Sequence, residues 1–169
     1  MKTIIILSGI PCSGKTTYTN YLLSNKDYVS ISRDSLRDKY FGKEYQRSKY
    51  GGEKYVYSRQ NEKFISLKFD ETMDEYLENP NIKYIIMDNT HCKEKYLDDF
   101  IKIYKRFTNI QVIFFDTPLI KSYYRNIIRY IKTGKFIPFS IIKNMNINYR
   151  KINKGKYIDY FNTHHFYIN

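Results

Sequence analysis

The stretch Gly9-Ile10-Pro11-Cys12-Ser13-Gly14-Lys15-Thr16 constrains this chain more than any other feature. It fits the pattern G-x-x-x-x-G-K-[ST] and lies between an apolar run, Lys2 to Ser8, and a segment with helical spacing. A loop of this kind works only between a strand and a helix. Its glycines let backbone N–H groups curl around phosphates, and the helix N-terminus adds its positive end. Lys15 can then reach the outer phosphates of a nucleoside triphosphate while Thr16 ligates magnesium. The loop therefore assigns Gly9, Pro11, Cys12, Ser13, Gly14, Lys15, Thr16 and Thr17 to binding ATP or another nucleoside triphosphate, with Thr16 as metal ligand.

Beyond the loop, short apolar runs alternate with longer helical patterns, the signature of βαβ units and a parallel sheet. Strands are expected at Lys2 to Ser8, Tyr28 to Ser32, Lys83 to Asp88 and Ile110 to Asp116. Helices are expected at Gly14 to Ser24, Ser35 to Tyr40, Glu53 to Leu77, Lys93 to Phe107, Leu119 to Lys132 and Phe139 to Ile152. Asn79-Pro80-Asn81 breaks one helix before the third strand, and Gly51-Gly52 marks a loop. The expectation is an α/β, three-layer fold: one domain with a central, mainly parallel sheet of four or five strands between helices. The aromatic tail, Gly155 to Asn169, is expected to pack on that domain.

Composition narrows the function classes. The longest apolar stretches, such as Ile4 to Leu7, are too short to cross a bilayer, which predicts a soluble, cytoplasmic protein with no membrane partner. Cys12 and Cys92 lie far apart without a ligand cluster, so a disulfide framework and a zinc site are both disfavoured. Lys and Arg number 29 against 17 acids, a net charge of +12, which favours anionic partners. Abundant Lys, Asn, Ile and Tyr would also follow from an AT-rich gene, so distribution says more than the total. Between Asp116 and Asp159 there is no acid, while Lys121, Arg125, Arg129, Lys132, Lys135, Lys143, Arg150, Lys151, Lys154 and Lys156 fall inside that interval.

Three other segments carry candidate chemistry. Ile31-Ser32-Arg33-Asp34-Ser35-Leu36-Arg37 puts Asp34 at the carboxyl edge of the sheet, where open α/β folds bind ligands. There Asp34 either accepts a proton from an attacking hydroxyl or caps a helix. Arg37, one turn on, either holds an acceptor phosphate or pairs with a nearby acid. Asp88, closing the third strand, would order a magnesium water, orient Arg37 or cap a loop. From Leu119 to Lys132, Ile120, Tyr124, Ile127, Ile128 and Ile131 recur at helical spacing, which predicts a buried stripe. Lys121, Arg125, Arg129 and Lys132 line another face of the same helix. Like charges at i, i+4 repel, so that row implies an anion such as the triphosphate; the other reading is a solvated basic face. This helix and the Gly134 loop after it are expected to form a lid, about residues 119–138, with Arg125 and Arg129 toward the donor. Between Arg37 and Arg59, tyrosines alternate with basic residues from Lys39 and Tyr40 to Tyr57, a pattern suited to single-stranded nucleic acid.

Together, Gly9 to Thr16, Arg33-Asp34-Ser35-Leu36-Arg37, Met87-Asp88-Asn89-Thr90 and Arg125-Asn126-Ile127-Ile128-Arg129 resemble the kinase domain of phage polynucleotide kinase across roughly residues 1 to 152. The resemblance implies a P-loop kinase fold and makes Asp34 the general base. It also implies that Arg129 contacts the transferring phosphate, that Lys15 and Thr16 hold the donor, and that Arg37 contacts the acceptor's phosphate. Asp88, with Asn89 and Thr90, is placed on the acceptor side. Two departures stand out: the stretch from Arg129 to Pro138 is longer than in the phage enzyme, and no D-x-D phosphatase motif is present. The expected function is magnesium-dependent transfer of the ATP γ-phosphate to the 5′-hydroxyl of RNA or DNA in end repair. The rivals are a kinase for a small hydroxyl acceptor and a nucleic-acid-binding module that uses nucleotide as a switch.

Overall fold

The computed structural model describes residues 2–42, 45–47, 53–55, 61–106 and 108–160, with 45–47 and 53–55 described as backbone alone. The chain order is β1 (Thr3–Ser8), α1 (Lys15–Leu22), β2 (Tyr28–Ile31), α2 (Arg33–Phe41), β3 (Tyr45–Arg47), β4 (Glu53–Tyr55), α3 (Glu62–Glu78), β5 (Tyr84–Met87), α4 (Glu94–Tyr104), β6 (Asn109–Phe114), α5 (Leu119–Thr133) and α6 (Phe139–Arg150). A 3₁₀ segment, Lys154–Tyr160, follows.

The main sheet runs β2-β5-β1-β6, with every neighbouring pair parallel. All six residues of β1 are buried, as a strand covered on both faces requires. Alternation along β1 builds two half-cores. Ile4 and Ile6 pack with Ile85 and Met87 against Ile65, Phe69 and Met73 of α3, Leu97 and Ile101 of α4, and Ile142 and Tyr149 of α6. Ile5 and Leu7 join Ile86, Tyr18 of α1 and Phe115 on the other face. Each fully buried isoleucine contributes roughly 1.5–3 kcal/mol, so the centre of the sheet is its firmest part. That rigidity matters because the loops after β1, β2 and β5 all leave from one edge.

The four expected strands form, each within two residues of its expected ends. The helix expected from Glu53 does not begin there. Glu53–Tyr55 pairs antiparallel with Tyr45–Arg47, and α3 starts at Glu62. A strand of three residues is too short to show a period of two, so the strong pattern of Ile65, Phe69 and Met73 hid it. The tail packs on the domain as far as Tyr160: Tyr157 is fully buried, its ring 6.0 Å from Phe114, and its hydroxyl donates to Asp98 Oδ1 at 2.8 Å. No described helix is long and apolar enough to cross a membrane.

Helix α5 reverses one expectation. Ile120, Tyr124, Ile127 and Ile131 are exposed, Ile120 by 81%, whereas Ser122 and Asn126 are completely buried. Helical spacing shows that two faces exist but not which one turns inward. Here the inward face meets loop carbonyls, so hydrogen-bonding side chains line it. The acid-free interval is also partly neutralised in three dimensions, since Lys135 pairs with Asp34, Lys154 with Asp116, and Lys156 with Glu94 and Asp98.

Candidate active site

The loop after β1 is shaped by two glycines. A Cβ on Gly9 would lie 2.8 Å from Cβ of the buried Phe115 and 3.2 Å from its carbonyl oxygen, a clash at the root of the side chain, so only glycine fits. Gly14 precedes α1 at φ 106°, a left-handed conformation that glycine adopts without strain. The loop is held from α5 and its lead-in. Ser122 Oγ donates to Pro11 O at 2.6 Å, Thr117 Oγ1 to Ser13 O at 3.0 Å, and Arg125 Nη1 to Cys12 O at 3.3 Å. The buried Lys15 ammonium lies inside the loop and donates to Gly9 O and Ile10 O, both at 2.8 Å, and to Ser13 Oγ at 3.1 Å. Burial pushes its pKa down to about 8, although nearby Cys92 and Asp88 oppose the shift. Thr16 and Thr17 are exposed at the start of α1.

Three loops are stitched together at this edge. Gly9 N–H donates to Thr90 O at 2.9 Å, Asp88 N–H to Ile31 O at 3.0 Å, and Arg33 N–H to Asn89 Oδ1 at 3.0 Å. Asn89 thus holds the start of α2. Asp88 lies beside Thr16 and Lys15; burial raises its carboxyl, and those two neighbours oppose the rise. The structure therefore brings Asp88 to the donor loop and leaves the orientation of Arg37 to another residue.

That residue is Glu62. Arg37 is 11% exposed and donates from Nε to Glu62 Oε1 at 2.8 Å and from Nη2 to Oε2 at 3.0 Å, a two-pronged clamp. Arg33 adds a bond to Glu62 Oε2 at 2.9 Å. These contacts hold the Glu62 carboxyl below the usual range, the Arg37 bond contributing most. With its remaining edge Arg37 donates from Nη1 to Asp34 Oδ1 at 2.8 Å. Asp34 does not cap the helix: Ser32 does, accepting from Ser35 N–H while Ser35 Oγ accepts from Ser32 N–H. Asp34, 51% exposed, instead sits in the first turn of α2 with Lys135 Nζ 2.8 Å from its Oδ2.

Two arginines of α5, Arg125 and Arg129, lie close to the phosphate loop. Buried Asn126 donates from Nδ2 to Ile137 O at 2.8 Å and accepts on Oδ1 from Ile137 N–H at 3.1 Å and Arg129 Nη2 at 3.0 Å. It staples the loop after α5 and aims Arg129 at once. Arg129 Nε is buried without a hydrogen-bond partner, a donor whose desolvation is uncompensated. Convergence of charge is visible at Cys12. Burial pushes its thiol up, while Arg129, Lys15, Arg125 and Lys135 all pull it back. Three cations thus gather around a loop that carries a fourth, Lys15, an arrangement that suits a polyanion. Sequence reading missed Glu62, Ser122 and Asn126 as site residues and assigned no task to Lys135. Glu62 stands 25 residues from Arg37 with no spacing signal, and a polar residue on an amphipathic helix reads as solvent-facing until its neighbour is known. Of the Tyr/Lys segment, Lys39 and Tyr40 are described; the side chains from 43 to 60 lie outside the described residues.

A family model described as "AAA domain" matches residues 4–152. No curated protein matches the sequence. Among solved structures, a chain from "Structure of the Pnkp1/Rnl/Hen1 RNA repair complex" is 27% identical with a TM-score of 0.75, over 92% of this chain and 46% of that one. This chain thus spans less than half of that relative. A chain from a second "Structure of Pnkp1/Rnl/Hen1 complex" is 24% identical with a TM-score of 0.57, over 72% of this chain and 38% of that one. A "putative kinase" from Chloroflexus aurantiacus shares the fold at 14% identity and a TM-score of 0.61, over 87% of this chain and 77% of that one.

Proposed function

We propose that this chain, which belongs to the AAA domain family of P-loop proteins and is a kinase-type enzyme of that fold, transfers the γ-phosphoryl group of ATP to the 5′-hydroxyl of RNA or DNA. The observation that carries the reading is Asp34 and Arg37 on one turn of α2, joined at 2.8 Å beside the phosphate loop. A carboxylate there serves as base for a hydroxyl. A guanidinium next to it serves the first phosphodiester behind that hydroxyl, a group that a small neutral acceptor lacks. Among the described residues, Arg33 and Arg37 pair with Glu62, and Arg37 and Lys135 pair with Asp34, so cations stand around both carboxylates on this side. Further along α2, Tyr40 and Phe41 pack edge-on to Phe64 of α3, with Lys39 over the Tyr40 ring and Lys68 over both Tyr40 and Phe64. Partly exposed rings with cations beside them suit unstacked bases of a strand leaving Arg37.

In this reading Lys15 exchanges its loop carbonyls for β- and γ-phosphate oxygens. Arg125 holds the loop from outside, and Arg129, fixed by Asn126, donates to the migrating phosphoryl group. Asp34 takes the hydroxyl proton. The exposed Thr16 hydroxyl beside the Asp88 carboxylate is an oxygen pair that fits magnesium, directly through Thr16 and through water at Asp88. There the cation would offset charge on the β- and γ-phosphates. Asn89 supports the acceptor side through Arg33 N–H, and Thr90 ties that edge to the phosphate loop through Gly9 N–H. The test is radiolabel transfer from ATP to a 5′-hydroxyl oligonucleotide, comparing wild type with Asp34→Asn. Loss of transfer with nucleotide affinity retained supports the assignment. Wild-type transfer by the variant removes Asp34 from the mechanism. Label that passes to sugars or nucleosides but never to the oligonucleotide refutes the polynucleotide acceptor.

A further inference from the structure

We infer that Lys135 is a catch on the catalytic carboxylate: it covers Asp34 against water until an acceptor hydroxyl displaces it, and it then serves as a second cation on the transferring phosphoryl group. The inference rests on Asp34 as base and holds for any hydroxyl acceptor. Lys135 follows Gly134, which ends α5 at φ 69° with its N–H on Tyr130 O at 2.8 Å. That left-handed turn swings the chain off the helix axis, so a lid residue reaches a carboxylate 101 positions earlier in sequence, at 2.8 Å. The turn is backed by Asn126, which holds Ile137 two residues further on.

Both oxygens of Asp34 thereby carry a charged donor, Arg37 Nη1 on Oδ1 and Lys135 Nζ on Oδ2. The two donors are not equivalent. Arg37 is clamped by Glu62 from α3 and cannot leave without breaking that two-pronged pair, whereas Lys135 meets Asp34 as a single point charge at the end of a four-carbon stem. Lys135, 2.8 Å from Asp34, also acts electrostatically on Cys12, so its ammonium is close to the phosphate loop as well as to the carboxylate. At 26% exposed it is more enclosed than Asp34 at 51%.

A carboxylate oxygen that accepts from an ammonium is a weaker acceptor for a water proton. Without such cover, Asp34 would activate water beside bound ATP and waste the phosphoryl group. A bound acceptor changes the balance, because its remaining contacts supply the energy to insert the hydroxyl at Oδ2. The step then closes as follows. The hydroxyl proton passes to Asp34, the acceptor oxygen bonds to the γ-phosphorus, and the bond from that phosphorus to the β,γ-bridging oxygen breaks. ADP leaves with the electron pair. The displaced ammonium, still close to the phosphate loop, moves onto the γ-phosphoryl oxygens beside Arg129.

The experiment measures two rates in wild type, Lys135→Ala and Lys135→Arg, each with and without Asp34→Asn. They are phosphate release from ATP with no acceptor present, and transfer to a 5′-hydroxyl oligonucleotide. Lys135→Ala is expected to raise acceptor-free release about tenfold and to lower transfer about tenfold, the size of one charge-assisted hydrogen bond. Lys135→Arg restores both toward wild type, and adding Asp34→Asn to Lys135→Ala removes the extra release. Acceptor-free release at or below wild type in a Lys135→Ala protein with an unchanged melting temperature overturns the catch. So does extra release that survives Asp34→Asn. Failure of the underlying reading is separate, because it shows as transfer that persists in Asp34→Asn alone.

Discussion

Lys15 offers the most quantitative test of the donor loop. Its ammonium is buried among two carbonyls and a hydroxyl, and its pKa falls from 10.5 to about 8. Below pH 8 folded and unfolded chains both hold the proton, and the fold carries the full cost of burying the charge. Between the two values the unfolded chain still binds a proton that the folded chain has released, so stability rises with pH. From pH 7 to pH 9.5 the gain works out at about 2 kcal/mol, which raises the melting temperature of a domain this size by roughly 4–8 °C. Tyrosines such as Tyr104, pushed up to about 12 by burial, act in the opposite sense above pH 10, so the window closes there. The assay is urea unfolding at pH 7, 8 and 9.5 for wild type and Lys15→Met. Wild type should gain the stated amount relative to the variant, and saturating ATP should flatten the wild-type curve, because phosphate pairing lifts the lysine pKa back. Parallel curves for the two proteins in that range would mean that the ammonium is not held as described, and the donor loop would need rebuilding.

Two further outcomes follow from the same geometry. Glu62→Ala removes the clamp on Arg37 and one bond from Arg33, and among the described residues none of these Glu62 contacts reaches the phosphate loop. The acceptor KM should rise about tenfold with the ATP KM unchanged, and stability should fall by about 1 kcal/mol, since the pair is partly solvated; equal changes in both KM values would contradict the division into two sides. His91 is buried, with Nδ1 2.9 Å from Leu7 O, so that nitrogen carries the proton and donates. Burial lowers its pKa from 6.5 to about 4, so the unfolded chain takes up a proton in that range before the folded one does. Stability should decline by about 3 kcal/mol as pH drops across it. Urea midpoints from pH 7 to 4 should fall more steeply for wild type than for His91→Gln, and equal slopes would place the ring in contact with water.

Much of this molecule is legible along the chain. The phosphate loop needs a strand before it and a helix after it, so Gly9 to Thr16 determined the layout of β1 and α1 by local chemistry alone. Runs such as Ile4 to Leu7 and Ile85 to Met87, alternating with helical segments, read as strands buried on both faces of a parallel sheet, and Asp34 and Asp88 followed as residues at its carboxyl edge. Those inferences use neighbours in sequence, where geometry follows from spacing. Tertiary structure alone decided everything that depends on a distant partner. It turned the polar side of α5 inward onto the loop carbonyls and left Ile120 and Ile131 exposed. It gave Arg37 to Glu62 rather than to Asp88, and it brought Lys135 across 101 residues to Asp34. The period of a helix reports that one face differs from another, but what a face meets is set by the packing of the whole chain. In this site, side chains from α2, α3 and the loop after α5 meet over a rigid sheet edge, and no spacing along the sequence encodes that meeting.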